Sequence, residues 1–499
     1  MRRLLPYIIT LTLLTLTQCK NDDTHLNNDT EKKSQPKECT IKSFGFLSQD
    51  NSEQLEQDLY GTIKGYDITV RIPYTCTNKQ FKPYIELSSP QLYIKDSKET
   101  YDFSEPVNIT IATPEGTEAN YTINVILFTG LPIFSIQTED NQPVVSKDDY
   151  LTGDYTLYGD GVTSKLSGEL QIRGRGNSTW LMPKRPYQIK FDKKTSPFGW
   201  PSGKVFVLLA NYSDKTKLRT TVAFQMSKMT QLEWTPRCEY VELILNGEYQ
   251  GTYQLCEKIK TDANRVNVGK NGYILEADQL ERLDPDDVYF TTQRQLFNIK
   301  EPELTEGDAA YNKIKDYVTA CENTLYSDDF LDAENGYKKY IDLESFADWY
   351  LVNEITRNND AIFYSSVYLN KTADGKLKMG PVWDFDISMG NIDYNNNWET
   401  EGWWVRKSKW IERMFLDPEF LQLVRTKYDA LYNNRYQLIE LITIDADYLQ
   451  YSIAEDDDKW HTLNNYTWPN YVVLGSYDKE VQYLKEWLLK RMDWMKASL

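Results

Sequence analysis

The sequence predicts an α+β protein: a small all-β sandwich, then a larger domain that is β-rich in its first half and helical in its second. Three observations carry this. Between Cys39 and Phe128, short alternating apolar runs are broken by Pro, Asn, Asp and Gly at the spacing of a sandwich. From Ile133 to Glu276 further strand-like runs follow, one pair joined by Asn246-Gly247, a strong short hairpin signal. Beyond Asn391 the pattern turns helical, ending in a stripe of Val481, Leu484, Leu488, Met492 and Met495 at helical spacing. With 499 residues, two or three domains and a sizeable core are expected. The 36 Tyr and 13 Trp argue for folded domains over disorder.

At the N-terminus, Arg2 and Arg3 precede an apolar run, Leu4 to Leu16, too short to span a bilayer as a helix. It ends in Leu16-Thr17-Gln18-Cys19, which resembles a bacterial lipobox with a bulky Gln18 before the cysteine. Lys20-Asn21-Asp22-Asp23 resembles the surface-export signal of Bacteroidetes lipoproteins. Residues 1–19 are therefore expected to be a lipoprotein signal peptide and lipobox, and 20–37 a polar tether. Cys19 would carry a lipid anchor at the cell envelope, in the outer membrane and exposed at the surface. Cys39–Cys76 and Cys238–Cys256 could each close a disulfide in an oxidising compartment. There is no C-x-x-C, and His25 and His461 are the only histidines, which argues against a zinc site and a His-based triad. A net charge of -18 without a basic stretch argues against nucleic acid and suits a solvated surface or cationic partners.

In the sandwich, expected over 38–129, strands are predicted at Ile41–Phe46, Tyr66–Ile72, Tyr84–Leu87, Val107–Ile111 and Tyr121–Leu127. I-x-S-F, I-x-V-x-I-P-Y and G-T-x-A-N-Y-T-I-N-V resemble immunoglobulin-like modules of Bacteroidetes surface proteins. The second domain, 130–499, opens with strands at Ile133–Gln137, Tyr155–Tyr158 and Gly168–Arg173. Gly174 and Gly176 follow, placed to let backbone N–H groups approach phosphate or to make a turn. Arg173, Arg175, Lys184, Arg185 and Lys190 form the densest basic cluster, read as an anion cradle. After Val205–Ala210, a helix capped by Ser213 or Asp214 is expected to run to Met229. A further helix is expected over Ile341–Ile355, and paired helices from Phe415 to Leu441.

The candidate site lies between Asn353 and Asn391. Asp360 follows a polar run that breaks a helical pattern; two strands, Phe363–Leu369 and Lys376–Met379, then turn through Asp374-Gly375. Asp384-Phe385-Asp386 comes directly after. In extended backbone its two carboxylates share one face, with Trp383 and Phe385 packing behind. Two carboxylates leaving positions for water and phosphate oxygens suit Mg²⁺, and a separate acid that orients a hydroxyl completes a phosphoryl-transfer layout. The three acids are expected to surround one cation that grips a nucleotide's phosphates.

G-N-S-T-W…P-K-R-P-Y-Q-I-K-F, L-L-A-N-Y-S-D-K-T-K-L-R, N-G-E-Y-Q-G-T-Y-Q-L-C-E-K-I, N-E-I-T-R-N-N-D and G-P-V-W-D-F-D-I-S-M-G-N resemble, in this order, the CotH family of spore-coat protein kinases in its Bacteroidetes lipoprotein branch. The resemblance implies an atypical protein-kinase-like fold, with a β-rich N-lobe and a helical C-lobe. It implies transfer of phosphate from ATP to Ser of a protein partner, or to another hydroxyl-bearing acceptor, with Mg²⁺ or Mn²⁺. By it Asp360 matches the catalytic Asp, Asp384 or Asp386 the metal-binding Asp, and Lys190 a phosphate-contacting Lys; Arg173, Lys184 and Arg185 join Lys190 in offsetting phosphate charge. Departures are visible. The fifth position after Asp360 holds Ser365, then Ser366, where kinases carry Asn, and Asn370 is the nearest downstream Asn. Residues 212–229 contain no Glu to pair with a lysine, leaving Glu257 as a substitute. Two other readings are a glycan-binding scaffold on a kinase-like frame, using Trp398, Trp403, Trp404 and Trp410 if exposed, and a metal-dependent nucleotide-sugar transferase.

Overall fold

A computed structural model describes residues 39–76, 78–159 and 161–499; the signal peptide, the lipobox at Cys19 and the tether lie outside them. The chain divides into two compact units between Phe128 and Thr129.

The first unit is all-β. Its strands are β1 (Ile41–Phe46), β2 (Leu59–Tyr60), β3 (Thr62–Lys64), β4 (Asp67–Ile72), β5 (Gln80–Phe81), β6 (Tyr84–Leu87), β7 (Tyr93–Ile94), β8 (Tyr101–Asp102), β9 (Val107–Ala112) and β10 (Glu118–Leu127). One sheet runs β2-β1-β6 and another β3-β4-β10-β9-β7. Alternation explains the core: Ile68, Val70 and Ile72 of β4 point inward, as do Tyr121, Ile123 and Val125 of β10. Cys39 and Cys76 remain free and buried, their thiols facing the carbonyls of Thr117 and Gln54, so this pair does not close.

The second unit opens with a closed barrel of β11 (Ile133–Thr138), β12 (Leu151–Tyr158), β13 (Leu166–Gly174), β14 (Tyr187–Thr195), β15 (Gly203–Leu209), β16 (Cys238–Leu245) and β17 (Glu248–Glu257). The order β11-β12-β13-β14-β15-β17-β16 closes through a parallel pair of β11 with β16. Phe134, Ile172, Ile189, Phe191, Leu208 and Leu243 fill its interior. The hairpin turns at Asn246 and Gly247, with φ of 53° and 78°. Cys238 and Cys256 face each other in register across this hairpin and form the disulfide.

Between β15 and β16 lies α1 (Arg219–Lys228). The helix starts five residues after Asp214, because 211–218 makes a buried loop first; its N-cap is Leu218, not Ser213 or Asp214, although Asp214 accepts from the Arg219 N–H at 2.9 Å. A five-stranded sheet follows, β18 (Tyr273–Asp278), β19 (Tyr289–Thr291), β20 (Leu296–Glu301), β21 (Val367–Lys371) and β22 (Lys378–Met379), in the order β19-β20-β18-β21-β22. The predicted strand from Phe363 begins later, at Val367: Phe363 and Ser366 have φ of 63° and 57°, which strands do not accept. The helices are α2 (Ala309–Leu325), α3 (Leu343–Thr356), α4 (Lys409–Met414), α5 (Pro418–Asn433), α6 (Arg435–Trp460) and α7 (Tyr477–Ser498). Asp342 caps α3, accepting from Ser345 N–H at 2.8 Å, and Arg357 ends it in a left-handed conformation. The α7 stripe is buried throughout. The second unit is thus mixed α+β. No described helix is long and apolar enough to cross a membrane.

Candidate functional site

A narrow cavity of about 50 Å³ is lined by Arg175, Lys184, Asn211, Trp383, Asp384 and Asp386, among others. A cavity of this size admits a few waters. Segment 380–386 is irregular rather than extended, and Asp384 has φ 66°, so strand alternation is not what aims the acids. Both carboxylates nevertheless reach the cavity. Phe385 is fully buried and Trp383 nearly so, their rings 6.3 and 6.0 Å from Phe224 of α1.

The loop is welded in place from behind. Arg219 pairs with Asp214 and donates from Nε to the Ser388 carbonyl at 3.0 Å. Asn391 donates to the carbonyls of Ser213 (3.0 Å) and Asp386 (2.7 Å), and Asn358 to that of Asp384 (3.1 Å). The two sequence blocks 211–219 and 380–391 are therefore one mechanical unit.

Asp360 sits in a 3-10 turn, Asn359–Ala361. Its carboxylate accepts from Asn359 Nδ2 at 2.7 Å and Ser365 Oγ at 3.3 Å; Ser366 Oγ donates to Asp384 at 3.1 Å. The serines standing where an Asn was expected thus tether two of the acids. Burial, then the Asp384 charge, pushes the Asp360 carboxyl up. Burial, then the charges of Asp384, Asp214 and Asp360, pushes Asp386 up to about 8. The three predicted acids lie within electrostatic reach of one another. Among the described residues, however, no three or more His, Cys, Asp or Glu side chains are arranged to hold a metal ion. The expected three-carboxylate grip does not form. Asp384 and Asp386 are the half-buried pair on the cavity wall, and two carboxylates so placed fit a hard cation completed by water or phosphate oxygens.

The predicted basic cradle is corrected more heavily. Lys190 is exposed, because Ile189 and Phe191 on either side of it point into the barrel. Arg173 donates to the Lys147 carbonyl and lies over the Tyr150 ring, and Arg185 lies over Trp180; neither lines the cavity. Lys184 does line it, but is ion-paired with Asp456 of α6, its neighbour Lys217 reaching the other oxygen at 3.3 Å. Burial lowers the Lys184 ammonium to about 8 despite that partner. Glu257 instead pairs with Arg237 and Arg265. The cavity's remaining cation is Arg175, 5.8 Å over the Trp383 ring, with Asp384 the main charge offsetting its desolvation. Lys258 lies near enough that burial, then Arg175 and Arg173, lower it to about 8. The spaces beside Gly174 and Gly176 are filled by Trp180 and by Thr179 and Pro186, so these glycines serve packing rather than a phosphate nest. Of the predicted sugar-stacking tryptophans, Trp410 is fully buried, and Trp403 and Trp404 pack on the core.

A mixed α+β unit with a carboxylate-lined cavity, braced by the contacts between segments 211–219 and 380–391, is the class this geometry defines. The chain belongs to the CotH kinase protein family, whose model matches residues 172–495. A second family model, described as SGBP, N-terminal, matches residues 52–125. No curated protein matches the chain. A solved structure from Bacteroides thetaiotaomicron, provisionally described as a glycoside hydrolase, is similar over 57% of this chain and 89% of its own, at 12% identity; its TM-score of 0.17 carries no argument.

Proposed function

We propose that this protein is a metal-dependent phosphotransferase, moving the γ-phosphoryl group of ATP to a hydroxyl acceptor at the cell envelope. The observation that carries the reading is the convergence of Asp384 and Asp386 with Arg175 and Lys184 on one cavity, with Asp360 electrostatically coupled to both acids. In this reading the barrel and the helical half are the two lobes of a kinase-like domain. Asp384 and Asp386 would hold Mg²⁺ or Mn²⁺, which supplies charge neutralisation on the phosphate oxygens. Arg175 faces the same oxygens as a fixed charge in a site of low dielectric. Asp360, whose proton affinity burial and Asp384 raise, orients the acceptor hydroxyl and takes its proton. The acceptor oxygen bonds to the γ-phosphorus as the bridging O–P bond breaks, and ADP leaves. The match to the SGBP N-terminal family supports a surface-associated protein, tethered in this reading through Cys19.

Thermal shift with ATP and Mg²⁺ tests the assignment. Asp384→Asn and Asp386→Asn should each abolish the shift, while Asp360→Asn keeps the shift and loses transfer of label from the γ-position. If neither wall variant changes the shift, the metal assignment fails.

A further inference from the structure

The loops flanking Asp360 carry aromatic rings that the core does not use. Tyr394 and Trp468 lie parallel, 6.2 Å apart at 13°, and Trp398 and Tyr471 do the same at 4.8 Å and 8°. Both pairs bridge the same two irregular segments, and we refer to the two pairs together as the stair. Trp468 is 49% exposed and Tyr471 46%. The stair is rigid. Tyr466 donates to Asp393 at 2.7 Å, and Asn470 donates to the Ser213 carbonyl at 2.6 Å and to Asn391 at 2.8 Å. It is also tied to the site: Asn395 and Asn397 both donate to Asn359 Oδ1 at 3.0 Å, and Asn359 holds Asp360. Beside the second step is a cavity of about 490 Å³ whose walls include Trp398, Glu399, Glu401, Tyr471, Glu486 and Lys490, within the size range of small-molecule sites.

We infer that the acceptor hydroxyl is presented by a neutral carbohydrate chain lying on this stair, an inference that rests on the proposed phosphotransfer. The parts of Trp468 and Tyr471 left exposed beyond their stacked partners match the apolar C–H faces of pyranose rings, and they are already ordered, which lowers the entropic cost of binding. The carboxylates and amides around them match hydroxyl groups. Glu399, Glu401 and Glu486 outnumber Lys490, itself 3.8 Å from Glu486, so an anionic chain is repelled. An extended peptide has no strand edge to join here, because 391–403 and 462–475 contain no strand. In the transfer, the sugar oxygen gains the bond to the γ-phosphorus, its proton passes to Asp360, and ADP departs with the electrons of the broken bond.

The test uses the full chain without nucleotide, titrated with cellohexaose, xylohexaose and mannohexaose, with an oligogalacturonate as acidic control and dephosphorylated casein as protein control. Tryptophan fluorescence and calorimetry should show binding of at least one neutral series and not of the acidic one. Trp468→Ala and Tyr471→Ala should each weaken it about tenfold or more, while Trp403→Phe does not. With ATP and Mg²⁺ added, the bound sugar should gain one phosphoryl group by mass spectrometry. The inference is overturned if no neutral sugar binds, if binding survives both variants, or if casein alone binds and is phosphorylated. In that last outcome the phosphotransfer reading stands and only the acceptor falls. Sugar binding with no nucleotide-dependent shift in the wild type overturns the acceptor role together with the proposed function.

Discussion

Asp456 holds two lysines at once, Lys184 and Lys217, with all three side chains almost wholly excluded from water. Removing one partner of such a group leaves an uncompensated buried charge, which costs about 3–5 kcal/mol. Asp456→Ala should therefore lower the urea midpoint sharply, because it strands both ammonium groups. Lys184→Met should cost less, because Asp456 keeps Lys217. Arg175 belongs to the other class of residue. Its guanidinium is poised over Trp383 in the cavity wall, so Arg175→Gln should change the urea midpoint little while abolishing stabilisation by pyrophosphate with Mg²⁺. Lys190→Gln, on the exposed face of β14, should alter neither readout.

At the scale of elements, two contacts hold the site. One is the approach of α6 to β17 at Gly251, which has φ 101° and whose missing side chain leaves the space that Asp456 and Trp460 occupy. Gly251→Ala would place a Cβ there and strain the backbone as well, a cost on the order of 1–3 kcal/mol from the dihedral alone; its denaturation midpoint should fall accordingly. The other is the Asp214–Arg219 clamp on the loop at Ser388. Arg219→Met should cost about 3–5 kcal/mol and, at temperatures where the fold persists, weaken the Mg²⁺-dependent shift, because the carboxylate loop loses its brace.

For the whole molecule, the barrel meets α6 through a buried polar layer that also contains Glu242. Burial raises its carboxyl to about 7, against hydrogen bonds from Ser452, Thr129 and Tyr249 that favour the charged form. The folded-state value lies above the unfolded one, so the native state binds the extra proton. The stability linked to this group is complete below the ordinary carboxylate range and is lost as pH rises through about 7. Melting followed between pH 4.5 and 7.5 should show this slope, at most about 1.4 kcal/mol per pH unit for one proton. Glu242→Gln should flatten it.

Much of the architecture was legible because it is local. Strand positions in the first unit, the Asn246-Gly247 hairpin and the buried stripe of α7 follow from periodicity and turn chemistry within a few residues. The proximity of Asp360 to Asp384 and Asp386 followed from a short hairpin, although a positive φ at Asp384, not strand alternation, aims the acids. Even the exposure of Lys190 could have been read from Tyr187, Ile189 and Phe191 alternating around it. The rest had no local mark. Within the acidic run Glu455 to Asp458, nothing in the sequence distinguishes Asp456, which is buried against two lysines, from its neighbours. Nor does the basic cluster say that Lys184 is consumed by that pair while Arg175 faces the cavity. What the sequence by itself determined is many of the elements, though not α2 or β20, and the acidic centre, because local sterics and periodicity act over a few residues. Barrel closure, the pairing of buried charges and the choice of cation were decided only by tertiary structure, because each depends on which distant segment excludes the water.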